Sequence, residues 1–149
     1  MKYIAYGSNM VKKQMDFRCP NARLIGMGYL LNHRLEFYLH ATVERTRTRG
    51  EVVPVAVWEI DREDELSLDR YEGYPNYYIK QKRKVLMNDG SEIEGMIYIM
   101  KRIRPYPPTK EYYGGIKKAY EDLGISFEIE KVLLPALKRS LSRERDFGW

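Results

Sequence analysis

Glu72 lies in the run Asp69-Arg70-Tyr71-Glu72-Gly73-Tyr74-Pro75, a sharply turning apolar and aromatic segment where a carboxyl can be partly withdrawn from water. Desolvation penalises the charged form, so such a group is expected to titrate above the ordinary glutamate value of about 4.3 and to accept and return protons. On the residues alone this reading stands level with a surface glutamate at a helix end. The run Tyr6-Gly7-Ser8-Asn9 is the second candidate. A Gly-Ser-Asn turn opening a helix exposes backbone N–H groups and a positive dipole end, which suit a carboxylate or a phosphate. Taken by itself, the turn reads first as an ordinary strand-to-helix connection. Tyr112, shortly after Pro107-Pro108, is the third feature. The lone Cys19 cannot form an intramolecular disulfide, and only His33 and His40 accompany it, so an inert thiol and no metal site are expected.

Positioning these residues requires a definite set of elements. Tyr3 to Tyr6 reads as a strand ended by Gly7-Ser8-Asn9, after which Ser8 or Asn9 caps a short helix that stops before Pro20. Strands are expected over 22–31, 35–39 and 52–60, with Pro54 implying an edge or a bulge. Asp61 caps an acidic helix whose buried side is supplied by Leu66 with Leu68 or Tyr71 and which Gly73 and Pro75 end, leaving Glu72 at its C-terminal edge. The turn Asn88-Asp89-Gly90-Ser91 joins strands 77–87 and 92–100 as a hairpin. Thr109 caps a further helix ended by Gly124, and its Gly114-Gly115 pair suggests a close backbone approach. A last helix, about 127–142, carries Pro135 inside its apolar stripe, which predicts a kink or break. The pattern gives an α+β fold with a mostly antiparallel sheet, a single domain over 1–149, and a C-terminal helical extension over about 126–149.

The 149 residues suit one domain, and no apolar run reaches the length that spans a bilayer. The N-terminus reads directly into a strand, so a soluble cytoplasmic protein without a membrane partner is expected. The net charge of +5 is a modest excess of 26 basic over 21 acidic residues. Arg45, Arg47 and Arg49 alternate, Lys80 and Lys82 stand beside Arg83 and Lys84, and Lys138, Arg139, Arg143 and Arg145 lie near the C-terminus. Without a nucleic-acid-binding motif these read as solvated faces, and no nucleic-acid partner is expected.

Tyr-Ile-Ala-Tyr-Gly-Ser-Asn-Met at 3–10, Trp58-Glu59-Ile60, Leu68 to Pro75 and Pro107-Pro108 before Tyr112 together resemble the γ-glutamylcyclotransferase family, which includes AIG2-like proteins and γ-glutamylamine cyclotransferases. The resemblance spans about residues 1–125. It implies a small, partly closed, barrel-like sheet with flanking helices and a cavity at one end. It further implies that Tyr6, Gly7, Ser8 and Asn9 hold the glutamyl head group and that Glu72 moves the protons. By the same resemblance Tyr78, with Tyr77 adjacent, and Tyr112 line the cavity. The implied activity converts a γ-glutamyl amino acid or amine into 5-oxoproline and a free amine, with no cofactor. A non-catalytic binding protein of the same fold and a weak RNA-binding protein remain the alternatives.

Overall fold

The computed structural model describes residues 1–142 and 149. Five strands close into a barrel in the order β1 (Lys2–Ala5), β5 (Val52–Glu59), β2 (Arg23–Leu31), β6 (Tyr78–Met87) and β7 (Glu92–Met100). Four of the five pairings are antiparallel; the parallel pair Tyr3↔Met96 joins β1 to β7 and completes the ring. Closure removes the unpaired sheet edges that an open sheet of this size would expose. The fold class is therefore α+β, as expected, with a small, mostly antiparallel, barrel-like sheet.

A two-stranded ribbon, β3 (His33–Tyr38) and β4 (His40–Arg45), stands apart from the barrel sheet. The strand reading of 35–39 found β3, and β4 is an addition. The ribbon is anchored where buried Thr42 Oγ1 accepts from the Met100 amide at 3.0 Å. It reverses at Leu39, a non-glycine residue with φ of 60°.

Pro54 lies in a strand paired on both sides, yet the ladder accommodates it. β1 reaches only as far as the Ala5↔Ala56 pair, so at Pro54 the sole partner strand is β2 and the residue sits at a local edge of the sheet, where proline is tolerated. The bulge falls instead on β2, between Leu24 and Gly26.

Helices α1 (Lys12–Arg18), α2 (Arg62–Glu72), α3 (Lys110–Asp122) and α4 (Leu134–Ser140) pack around the sheet. Asp61 caps α2 through a reciprocal capping box with Asp64, and Gly73, at φ of 67°, ends it in the left-handed conformation. The buried side of α2 differs from expectation. Leu68 is fully buried, but Leu66 and Tyr71 are exposed, and Asp64 and Glu65 take their places. Those acids can be buried because each is bonded, Asp64 within the capping box and Glu65 to Lys80 at 2.8 Å.

Thr109 caps α3 by accepting from the Tyr112 amide. Gly114 and Gly115 face open space, so the expected close backbone approach is absent there. The last helical region is broken where Pro135 requires it. A π-helical segment, Ile129–Leu133, precedes α4, because proline at the first turn of α4 lacks an N–H and its ring would collide with a regular α-helical carbonyl ladder. Val132, Leu133, Ala136 and Leu137 from this region join the same buried cluster as Trp58, Phe37 and Tyr98. Arg143 and Arg145 of the basic tail lie outside the described residues.

Candidate active site

Four elements deliver the site. β1 ends at Ala5 and runs through Tyr6 and Gly7 into a single 3₁₀ turn, Ser8–Met10. Neither Ser8 nor Asn9 caps α1, whose N-cap is Val11 without a side-chain bond. Asn9 is committed elsewhere: its Nδ2 donates to Tyr3 Oη at 3.1 Å and its Oδ1 accepts from Arg18 Nε at 3.1 Å. The amides of Ser8 and Asn9 begin a helical turn and so have no acceptor within it.

α2 brings Glu72, and a charged network fixes that helix to the sheet. Lys80 Nζ on β6 donates to Glu65 at 2.8 Å and to Asp69 at 3.0 Å, while Tyr98 Oη on β7 donates to Asp69 at 2.6 Å. β6 contributes Tyr78, whose hydroxyl donates to the Ala41 carbonyl at 2.6 Å. The start of α3 contributes Tyr112, whose hydroxyl accepts from the Ala41 amide at 3.0 Å. The amide and the carbonyl of one β4 residue, Ala41, are thus each held by a tyrosine from another element.

These pieces enclose a pocket of about 220 Å³. Tyr6, Gly7, Ser8, Asn9, Glu72, Tyr78 and Tyr112, the residues singled out in the sequence, all line it. So does Tyr77, named beside Tyr78 in the sequence, and so do Tyr3, His40, Ala41, Arg70, Tyr71 and Tyr98, which were not expected there. Tyr3 lay in the same aromatic run as Tyr6, and Tyr77 beside Tyr78. His40 and Ala41 belong to the strand that was not foreseen, and only the long-range register brings them here.

The Glu72 carboxyl makes no hydrogen bond or ion pair among the described residues. Withdrawal from water pushes its pKa up to about 7, partly opposed by the positive charge of Arg18. Arg18 is itself held in place, its guanidinium carbon 3.2 Å above the Tyr71 ring and its Nε on Asn9. Burial, with the Glu72 charge adding to it, raises the phenols of Tyr3, Tyr6, Tyr78 and Tyr112 far above their ordinary value, so all remain neutral donors. Tyr6 and Tyr78 spend their protons on the Tyr98 and Ala41 carbonyls. Tyr3 and Tyr112 instead accept from Asn9 and Ala41, and their own O–H protons have no acceptor among the described residues. The pocket therefore offers one carboxyl able to change protonation near neutrality and two uncommitted phenolic donors.

Residues 3–117 match the family model described as gamma-glutamyl cyclotransferase, AIG2-like. The chain belongs to this family. All seven residues expected at the site fall inside the matched span. Among curated relatives of this γ-glutamyl cyclotransferase family member, the gamma-glutamylcyclotransferases of Homo sapiens and Bos taurus are each 26% identical over 142 residues, covering 88% of this chain and 76% of theirs. A solved gamma-glutamyl cyclotransferase superposes with a TM-score of 0.79 at 24% identity, covering 99% of this chain and 90% of that one. An AIG2-like protein from Mus musculus gives 0.56 at 17% identity, over 70% of this chain and 79% of its own. At those identities the structural likenesses speak for the fold.

No cluster of three or more His, Cys, Asp or Glu side chains able to hold a metal occurs among the described residues. Cys19 is buried, and loss of solvation with Asp64 nearby pushes its thiol up to about 12, which leaves it a poor nucleophile. No helix among the described residues is long and apolar enough to cross a membrane.

Proposed function

We propose that this family member converts a γ-glutamyl amino acid or γ-glutamyl amine into 5-oxoproline and a free amine, with Glu72 as base and then acid. The observation that carries the proposal is the unpaired Glu72 carboxyl, titrating at about 7 in a pocket it shares with the Gly7-Ser8-Asn9 turn.

The substrate already contains both reacting groups, so folding it brings its α-nitrogen against its own γ-carbonyl. A well-oriented intramolecular attack can be worth effective molarities of order 10⁵ M or more, which makes positioning the main task of the pocket. The α-amine arrives protonated and has no lone pair. Ionised Glu72 takes that proton, the freed nitrogen forms a bond to the γ-carbon, and the carbonyl oxygen becomes an oxyanion. Glu72 then returns that proton to the departing nitrogen, the bond from the γ-carbon to that nitrogen breaks and the carbonyl re-forms; the ring nitrogen, still carrying one proton too many, sheds it to the released amine, which leaves a neutral five-membered lactam and an ammonium product. A pKa near 7 suits both halves of this cycle, because neither transfer is far uphill.

The amides of Ser8 and Asn9 and the free hydroxyl protons of Tyr3 and Tyr112 are the donors available to the substrate carboxylate and to the developing oxyanion. A methyl group at Gly7 would meet only Ile116, at 3.9 Å, so bulk there would project without clashing with the chain itself.

Incubating the protein with a panel of γ-glutamyl amino acids and γ-glutamyl amines, and measuring 5-oxoproline by mass spectrometry, tests the proposal. Glu72→Gln is expected to lower the rate by about 10²–10⁴-fold while the fold persists. A variant that turned over near the wild-type rate would eliminate Glu72 as the proton carrier.

A further inference from the structure

A second cleft, of about 410 Å³, opens between the β3–β4 ribbon and the β6–β7 hairpin and shares no lining residue with the pocket around Glu72. Its chemistry is cationic. Arg45 from the end of β4 and Arg83 from the middle of β6 both line it, together with Lys82 and Lys84. None of these four makes an ion pair with a carboxylate among the described residues. Glu92 and Glu94 also line the cleft, from exposed positions, without reaching either guanidinium at ion-pair distance.

Arg83 is half-buried and held in one orientation. Its Nε donates to His33 Nε2 at 3.1 Å and its Nη1 to the Lys82 carbonyl at 2.9 Å. His33 is buried, and its Nδ1 lies 2.8 Å from the Leu31 carbonyl, so Nδ1 carries the proton and Nε2 is free to accept. That arrangement requires a neutral imidazole, and burial together with the two arginines lowers the His33 pKa accordingly. Arg45 stands directly across the ribbon from His33 in the His33↔Arg45 register pair. Two like charges thus line one cleft, one of them partly desolvated, with the carboxylates of Glu92 and Glu94 beyond ion-pair distance of both. Such an arrangement is unfavourable by itself and becomes favourable once a dianion occupies it.

We infer that the cleft between Arg45 and Arg83 is a binding site for a phosphate or diphosphate group, either free or carried by a small molecule. Two guanidiniums match the charge and the several oxygens of a phosphoryl group better than a single carboxylate does, because each presents a planar fork of donors. Leu31 and Leu86, partly exposed at the same cleft, supply apolar walls for whatever carries the phosphate. The site is independent of the cyclisation chemistry.

Isothermal titration of the full chain with inorganic pyrophosphate, and separately with adenosine monophosphate, at constant ionic strength tests this assignment. Saturable one-to-one binding of either probe at millimolar concentrations or below is expected, and the tighter of the two identifies the source of the phosphoryl group. Arg83→Gln and Arg45→Gln should each weaken it by about tenfold or more, the worth of one charge-assisted contact. Arg47→Gln, exposed and outside the cleft, should leave it unchanged, and 5-oxoproline formation should be unaffected in all three variants. Should Arg83→Gln fail to fold, the exposed Arg45→Gln variant still decides the matter. Absence of saturable heat, or equal loss in Arg47→Gln, overturns the inference. So does tighter binding to a single-stranded RNA oligonucleotide with a salt dependence exceeding two charges, which would make the face a nucleic-acid surface.

Discussion

A carboxyl that must ionise in a sheltered pocket works against the stability of the protein that holds it. Burial moves Glu72 from its ordinary value of 4.5 to about 7, so the folded chain binds this proton more tightly than the unfolded chain does. Below pH 4.5 the group is protonated in both states and costs nothing. As the pH rises to about 7, the unfolded chain releases its proton while the folded chain holds on, and above that the full penalty applies. The interval corresponds to at most about 3 kcal/mol, and solvent at the pocket mouth reduces it, leaving about 1–3 kcal/mol. Glu72→Gln should therefore be more resistant to urea than wild type at pH 8 and indistinguishable from it at pH 4. Equal denaturation midpoints at both values would mean that Glu72 is as well solvated as a surface glutamate. The same residue shows what was open to reading in advance. The apolar, aromatic surroundings of Glu72 are written in its immediate neighbours, and so is the turn at Gly7. The company it keeps is not: Arg18, which lowers its pKa, reaches it only through the packing of α1 on α2.

Elements whose ends are set by local chemistry were legible, and those defined by distant partners were not. Asp61 and Gly73 bracket α2, Asn88-Asp89-Gly90-Ser91 turns the hairpin, and Pro135 breaks the last helix, each for a reason contained within a few residues. β4 has no such marker. His40-Ala41-Thr42-Val43 alternates weakly and runs on into the charged pair Glu44-Arg45, and its strand identity comes from pairing with β3. Missing it meant missing Ala41, the residue whose carbonyl Tyr78 holds and whose amide Tyr112 holds. Leu66 and Leu68 illustrate the same limit, since both are apolar and only the α2 packing decides which is buried. α3 offers a cleaner test of local propensity. Gly114 and Gly115 are exposed in its interior, with ordinary backbone angles and nothing within 4 Å of an added methyl. Replacing either with alanine should stabilise the protein by about 1 kcal/mol. A lowered urea midpoint in either variant would require that α3 use these glycines to meet something other than its own chain.

At the scale of the molecule, the pocket exists because the barrel closes, and closure is thin at two seams, the single Tyr3↔Met96 pair between β1 and β7 and the short seam between β2 and β6. The β2–β6 seam consists of the pairs Gly28↔Met87 and Tyr29↔Leu86, reinforced by the Asn88 amide donating to the Met27 carbonyl at 2.9 Å. The backbones approach so closely there that a methyl on Gly28 would stand 2.5 Å from the Leu86 carbonyl oxygen and 2.9 Å from Met87 Cα. Neither atom can rotate away. At Gly26, by contrast, an added methyl meets only the flexible tip of Met87, at 3.2 Å. Gly28→Ala must part the seam or strain it, at a cost of about 2 kcal/mol or more, whereas Gly26→Ala should cost well under half of that. Tyr78 and Met87 sit at opposite ends of β6, so the damage at the seam is far from the pocket. Paired measurements of urea stability and of 5-oxoproline formation by the Gly28→Ala protein that remains folded should then separate the two properties, with stability falling and the turnover per folded molecule holding. If turnover falls in step with stability, the strands transmit the seam's geometry to the tyrosine end of β6, and the barrel acts on its pocket as a single rigid frame.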